Sequence, residues 1–203
     1  MIFGDFFKHG MEKLGTVSAQ ALYLFSPLLP GALLSAVVLR YDLWPWLKRP
    51  IDGGTTFRER RLFGDNKTWR GIFCMVVGCM FAVAIQKYAI GDKAGALAII
   101  DYEKANAFLL GAALGLGTML GELPNSFVKR QLGIAPGQTA RGALGLVFYV
   151  WDQVDLLFVA WPFLLFWVRP GWPLVLISFV LIFALHQFIS LIGYLIGVRQ
   201  RAL

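Results

Sequence analysis

Charge is scarce in this chain of 203 residues: Asp, Glu, Lys and Arg together make up 15% of it, where a soluble domain carries roughly 25%. That leaves too little polar surface to face water on all sides, so a soluble enzyme and a disordered chain are both excluded. Histidine and cysteine number two each. Cys74 and Cys79 lie five apart in one apolar run, on different helix faces, and read as small core residues. A disulfide-stapled scaffold and a His/Cys zinc cluster are therefore ruled out. No self-similar period appears, which removes support for a transporter built from two matching halves. Features of a signal peptide are missing as well. Residues 1–15 carry Asp5 and Glu12 among their lysines and lead into an apolar stretch too long for an h-region, with no small-residue cleavage site behind it. A retained first helix is expected.

Apolar residues are what the chain has instead, 58% of it, with mean hydropathy +0.64. Crossing about 30 Å of hydrocarbon takes roughly 20 of them. Five stretches qualify: 17–39, 71–90, 105–121, 142–168 and 172–197. The expected fold is an all-α polytopic membrane protein, one transmembrane domain over residues 1–203. Ser26, Pro27, Pro30 and Gly31 should bend or break the first span. Thirteen of the basic residues fall in loops 40–70 and 122–141 and in the tail at Arg199 and Arg201, and six on the other side. The positive-inside rule then puts the N-terminus outside and both loops and the C-terminus in the cytoplasm. The protein is expected in the cell membrane, meeting any charged substrate on its cytoplasmic face.

Three polar stretches interrupt this pattern. In the fourth span, Asp152-Gln153-Val154-Asp155 places two carboxylates at i and i+3 on one helix face. Intramembrane carboxylates are costly and functional by default, and two like charges on one face suit a shared divalent cation. Hard oxygen ligands point to Mg²⁺. The plainer reading has the helix starting late, with both Asp in the headgroup zone pairing with loop arginines. After the third span, Gly121-Glu122-Leu123-Pro124-Asn125-Ser126-Phe127-Val128-Lys129-Arg130 combines an acid, a hydroxyl and two cations. Lys129 and Arg130 offer donors to phosphate oxygens, and Glu122 is a third candidate metal ligand beside Asp152. Seen alone, those two cations are also ordinary positive-inside flanking residues. At the start of the second span, Asp65, Asn66 or Thr68 could cap the helix. Lys67 and Arg70 are unfavourable at that end unless an anion such as phosphate compensates them. Arg58, Arg60 and Arg61 read instead as contacts to anionic lipid. Gly111, Gly115, Gly117 and Gly121 have the spacing of close helix packing and make a homo-oligomer plausible, and Trp44, Trp46, Trp69, Trp161, Trp167 and Trp172 mostly read as interfacial.

With these residues in hand the chain resembles the CDP-archaeol synthase family, relatives of phosphatidate cytidylyltransferase. Phe63-Gly64-Asp65-Asn66-Lys67-Thr68-Trp69-Arg70-Gly71 is similar to the family's first-loop motif, Gly121-Glu122 through Ser126-Phe127-Val128-Lys129-Arg130 to its central motif, and Asp152-Gln153-Val154-Asp155 to its metal-binding motif. The central motif usually has Asp where this chain has Glu122. The His-Gly-Gly that precedes the Asp pair in bacterial phosphatidate enzymes is missing, and Gln153 replaces their basic residue, so the chain looks closer to the archaeal branch.

The resemblance implies that a lipid phosphate attacks the α-phosphorus of CTP, releasing pyrophosphate and forming a CDP-lipid. Asp152 and Asp155, with Glu122 as a possible third, would hold Mg²⁺. Lys129, Arg130, Lys67 and Arg70 would neutralise phosphate charge. Asp65, Asn66, Thr68, Gly121, Asn125 and Ser126 would complete the CTP site. The implied partners are CTP, a diether or diacyl lipid phosphate and the bilayer, with no nucleic acid. A rival reading, a small proton-coupled transporter with Asp152 and Asp155 as its relay, accounts for the acids but not for the cations. A non-catalytic membrane scaffold would leave all three polar motifs without a purpose.

The orientation can be tested directly. Arg58→Cys and Gln138→Cys should be labelled by an impermeant thiol reagent only from the cytoplasm, and Asp101→Cys only from outside. Cytoplasmic labelling of Asp101→Cys would invert the topology.

Overall fold

The computed structural model describes the backbone of residues 2–195 and the side chains of residues 11–188 and Leu191. Arg199, Arg201 and the end of the expected fifth span lie outside the described residues. Among the described residues there are seven α-helices: α1 (Ile2–Phe25), α2 (Leu28–Arg40), α3 (Trp69–Ile85), α4 (Ala107–Gln131), α5 (Gly142–Val154), α6 (Leu157–Leu164) and α7 (Trp172–Leu195). Strands β1 (Thr56–Phe57) and β2 (Arg60–Arg61) form a small antiparallel hairpin. Among the described residues, four helical stretches are long and apolar enough to cross a membrane: Met11–Arg40, Trp69–Leu97, Ala107–Gln131 and Gly142–Leu164. A fifth, Trp172–Phe188, is shorter. The protein is a multi-pass, membrane-embedded helical chain. As expected, the first stretch loses its helical hydrogen-bond ladder at Ser26 and Pro27.

The described residues fall into two compact units. In the first, Met1–Phe25, Gly95–Ile99 and Pro170–Leu203, helix α1 packs on α7 and the Gln20 amide donates to the Ala96 carbonyl at 2.9 Å. The second, Ser26–Ala94 and Ile100–Arg169, holds α2 to α6 and all three polar motifs.

Helix α4 is the centre of the second unit, with α3 on one side and α6 on another. Asn106 caps its start, accepting from the N–H groups of Phe108 and Leu109 at 3.0 and 3.1 Å. Its end is a Schellman motif: Gly133, at φ +77°, donates to Arg130, and Ile134 donates to the Lys129 carbonyl. The helix therefore runs ten residues past the expected boundary at Gly121. Residues 122–131 of the expected loop are helical, with Pro124 accommodated inside. An apolar window stops where charge begins, whereas a helical backbone continues into the polar zone. The fourth span also differs, its ladder being irregular at Asp155 and Leu156 between α5 and α6.

Glycines let these helices approach. A Cβ on Gly111 would lie 2.5 Å from the Met80 Cα, one on Gly115 2.8 Å from the Met75 carbonyl oxygen, and one on Gly121 2.7 Å from the Asp155 carbonyl oxygen. The glycine stripe thus packs α4 against α3 and α6, and self-association draws no argument from it. Trp161 is another departure, buried at 6% exposure instead of interfacial.

Gly111→Ala should lower the thermal unfolding midpoint in detergent, since pushing a methyl into packed backbone costs roughly 1–3 kcal/mol. Gly15→Ala, with nothing within 4 Å of the added methyl, should leave it unchanged or slightly higher. Equal midpoints for Gly111→Ala and the parent would contradict the close approach of α4 to α3.

Candidate active site

Continuing α4 past Gly121 places Glu122, Asn125, Ser126, Lys129 and Arg130 at helical spacing on one side of the helix. They line a cavity of about 370 Å³ together with Asp152 and Asp155. The first loop adds Asn66 and Lys67, and the segment after α4 adds Gly137, Gln138 and Thr139. Three carboxylates and three cations thus share one space.

Asn125, 2% exposed, organises the acids. Its amide nitrogen donates to Asp152 Oδ1 at 2.5 Å and to Asp155 Oδ2 at 2.8 Å. Asp155 is 4% exposed, whereas the Asp152 carboxylate is open to the cavity and paired with Lys129. Glu122 is paired with Lys67 across 55 residues of sequence. Four buried atoms in the cavity wall have no hydrogen-bond partner: Asn125 Oδ1, Asp155 Oδ1, Arg130 Nε and Arg130 Nη1. A buried polar atom left unpaired costs about 1–3 kcal/mol and more when charged, and here unpaired acceptors on Asn125 and Asp155 stand in one cavity wall with unpaired donors on Arg130.

Nine of the thirteen residues expected in the site line this cavity. The others are placed elsewhere. Asp65 is exposed and pairs with Arg61 at 2.7 Å. Thr68 caps α3, accepting from the Gly71 N–H at 3.3 Å, and with Asn66, Lys67 and Glu122 lines a smaller cavity of about 70 Å³. Gly121 meets the backbone of Asp155 and Leu156. Arg70 departs furthest from expectation. It is buried at 4% exposure, bonded to Asp42 at 2.7 Å and to the Leu43 carbonyl at 3.1 Å, and is absent from both cavity walls. A buried guanidinium needs a carboxylate, and the chain segment after α2 supplies it.

Sequence reasoning passed over Gly137, Gln138 and Thr139, for which no local pattern signals a role, and Asp52. The last did carry a signal, since Asp52-Gly53-Gly54 is turn chemistry in which the Asp carboxylate accepts from the backbone two residues on, here from Gly54 at 3.1 Å. Burial pushes the Asp52 carboxyl up. The Arg61 guanidinium and the N–H groups of Phe63, Gly54 and Gly64 outweigh it and hold the group well below the usual carboxylate range.

A helical multi-pass protein with a carboxylate-and-cation cavity formed around one of its spans is the class that fold and site define. A solved structure described as an intramembrane enzyme for archaeal membrane lipids biosynthesis shares the fold, with TM-score 0.60 and 23% identity over 84% of this chain and 92% of that one. The sequence model of CDP-archaeol synthase (CarS-like) matches residues 46–202. CDP-archaeol synthases of Methanosarcina barkeri and Methanoculleus marisnigri are 32% and 35% identical over 165 and 160 residues. These alignments cover 75% and 74% of this chain and 89% and 87% of theirs. That of Halobacterium salinarum is 36% identical over 160 residues, 75% of this chain and 82% of its own. The chain belongs to the CDP-archaeol synthase family, which makes it a membrane cytidylyltransferase.

Proposed function

We propose that the protein transfers CMP from CTP to a membrane lipid phosphate. An oxygen of the lipid phosphate attacks the α-phosphorus of CTP, the bond from that phosphorus to the bridging oxygen breaks, and pyrophosphate leaves. The observation that carries this reading is one cavity in which Asn125 holds two carboxylates together while Lys67, Lys129 and Arg130 line the same space.

Mg²⁺ fits the acidic side of the cavity. Asp152 and Asp155 offer hard oxygens, and Asp155 Oδ1 and Asn125 Oδ1 are buried acceptors with no donor. No set of three or more acidic, His or Cys side chains forms a metal cage among the described residues. That suits an ion held by one or two carboxylates with waters and substrate phosphates completing its shell. When bound, it neutralises phosphate charge and polarises the phosphorus. The protein's own contribution is positioning and electrostatics. Lys129 and Arg130 meet the phosphate oxygens, Arg130 through two donors, and Ser126 and Asn66 orient them. Lys67, steered by Glu122, adds a third cation. No side chain needs to act as nucleophile or general base, because the lipid phosphate is already ionised. CTP enters from the cytoplasmic side in this reading, and the lipid slides in from the bilayer.

Purified protein given CTP, Mg²⁺ and a panel of diether and diacyl lipid phosphates should release pyrophosphate. Asp152→Asn or Asp155→Asn should reduce turnover at least about a hundredfold, the scale of losing a key electrostatic group. Glu122→Gln, which frees Lys67, should lose most activity, whereas Glu122→Asp should stay within about tenfold, roughly 1.4 kcal/mol in the barrier. Near-normal turnover in either Asn variant would sink the mechanism, and a fully active Glu122→Gln protein would remove that residue from it.

A further inference from the structure

The groups that line the cavity from the first loop have no helix behind them. Asn66 and Lys67 sit at the end of a segment, residues 52–67, whose regular structure is a two-residue ladder, Thr56 opposite Arg61 and Phe57 opposite Arg60. A two-stranded ribbon of that length is marginal by itself. Its turn adds strain, since Arg58 and Glu59 both adopt positive φ, +51° and +63°. Something other than the ladder must hold this segment in place.

Asp52 does so. Its carboxylate has no solvent exposure and receives four donors. Oδ1 accepts from Arg61 Nη2 at 2.7 Å and Gly54 N–H at 3.1 Å, and Oδ2 from Phe63 N–H at 3.1 Å and Gly64 N–H at 3.2 Å. The carboxylate thus closes residues 52–64 into a ring around itself. Both ends of the ring run into Lys67, whose carbonyl accepts from Ile51 N–H at 2.9 Å and whose N–H donates to the Gly64 carbonyl at 3.3 Å.

The closed ring reaches the other side of the cavity as well. Arg60 donates to the Gln131 carbonyl, the Gln131 amide donates to the Arg61 carbonyl at 3.3 Å, and the Phe57 ring lies 6.0 Å from that of Phe127. Gly64 is wedged at the junction. A Cβ there would lie 3.0 Å from Pro136 Cγ, 3.5 Å from Asn66 Oδ1 and 3.6 Å from Arg130 Cδ. The backbone that Asp52 grips therefore lies directly against the stem of Arg130 and the side chain of Asn66.

We infer that Asp52 is a positioning residue for nucleotide binding: without lining the cavity, it fixes Lys67, Asn66 and Arg130 where the triphosphate of CTP meets them. The kinetic side of this inference rests on the cytidylyl-transfer reading. Asn at position 52 has the same shape but cannot substitute. Its NH₂ group must face either Arg61 and Gly54 or Phe63 and Gly64, donor against donor in a buried site.

The test compares the parent with Asp52→Asn and, as a milder break that leaves the backbone donors in place, Arg61→Ala, each as the full chain in detergent. Trypsin should cut after Arg58 and Arg60 markedly faster in Asp52→Asn. Inorganic tripolyphosphate should raise the thermal midpoint of the parent more than that of either variant. With CTP and lipid phosphate, the KM for CTP should rise at least about tenfold in Asp52→Asn and about threefold in Arg61→Ala, with the KM for the lipid unchanged, the signature of lost binding to one substrate. A merely structural role predicts something else: kcat falling with the folded fraction and both KM values as in the parent. That result, or trypsin cleavage as slow as the parent's, would overturn the inference. A parent that does not turn CTP over would fell the cytidylyl reading alone, and the trypsin and tripolyphosphate comparisons would then decide the role of Asp52.

Discussion

A single side-chain amide sets the terms for the rest of the site. Asn125 donates from one nitrogen to both Asp152 and Asp155, which keeps two like-charged groups close together inside a membrane protein. Such a pair is electrostatically unfavourable at short range in a medium of low dielectric, and unfavourable again because charge is costly to bury. The compensation is visible nearby. Lys129 pairs with Asp152, Lys67 pairs with Glu122, and Arg130 stands in the same cavity with donors unspent. The arrangement is only partly neutralised, leaving oxygens on one wall and a guanidinium on another, and a metal-bound phosphate is the ligand proposed to complete it.

Helix α4 makes that arrangement possible by two properties. Its glycines bring it within backbone contact of α3 and α6, so a residue one turn further along reaches the Asp pair directly. Its continuation past Gly121, ended by the Schellman turn at Gly133, keeps Glu122, Asn125, Lys129 and Arg130 in helical register. A loop in that place would hold the same four residues with none of the rigidity that electrostatic preorganisation requires.

Some of this was legible in the sequence. Hydropathy located the spans because the bilayer imposes a length, and the Asp pair stood out because charge within a span is rare. Three ordered motifs pointed to the family to which the chain belongs. What could not be read was how distant groups pair. Arg70, which the first-loop motif assigned to phosphate, is drawn to Asp42, 28 residues before it, and Glu122 is held by Lys67. Neither partnership leaves a local pattern. The end of α4 lies beyond the apolar stretch because an apolar window measures the membrane and not the helix. The role inferred for Asp52 depends on a ring of donors, the Arg61 guanidinium and three backbone N–H groups, that only the folded loop assembles.

The account stands or falls on whether the Asp pair and the cations grip one and the same ligand. Anomalous diffraction from crystals grown with Mn²⁺ and a non-hydrolysable CTP analogue addresses that without relying on turnover. The account predicts a metal peak within bonding distance of Asp152 and Asp155, with the triphosphate running from it to Lys129 and Arg130. A triphosphate bound away from Arg130, or a metal peak that leaves Asp155 untouched, would contradict it.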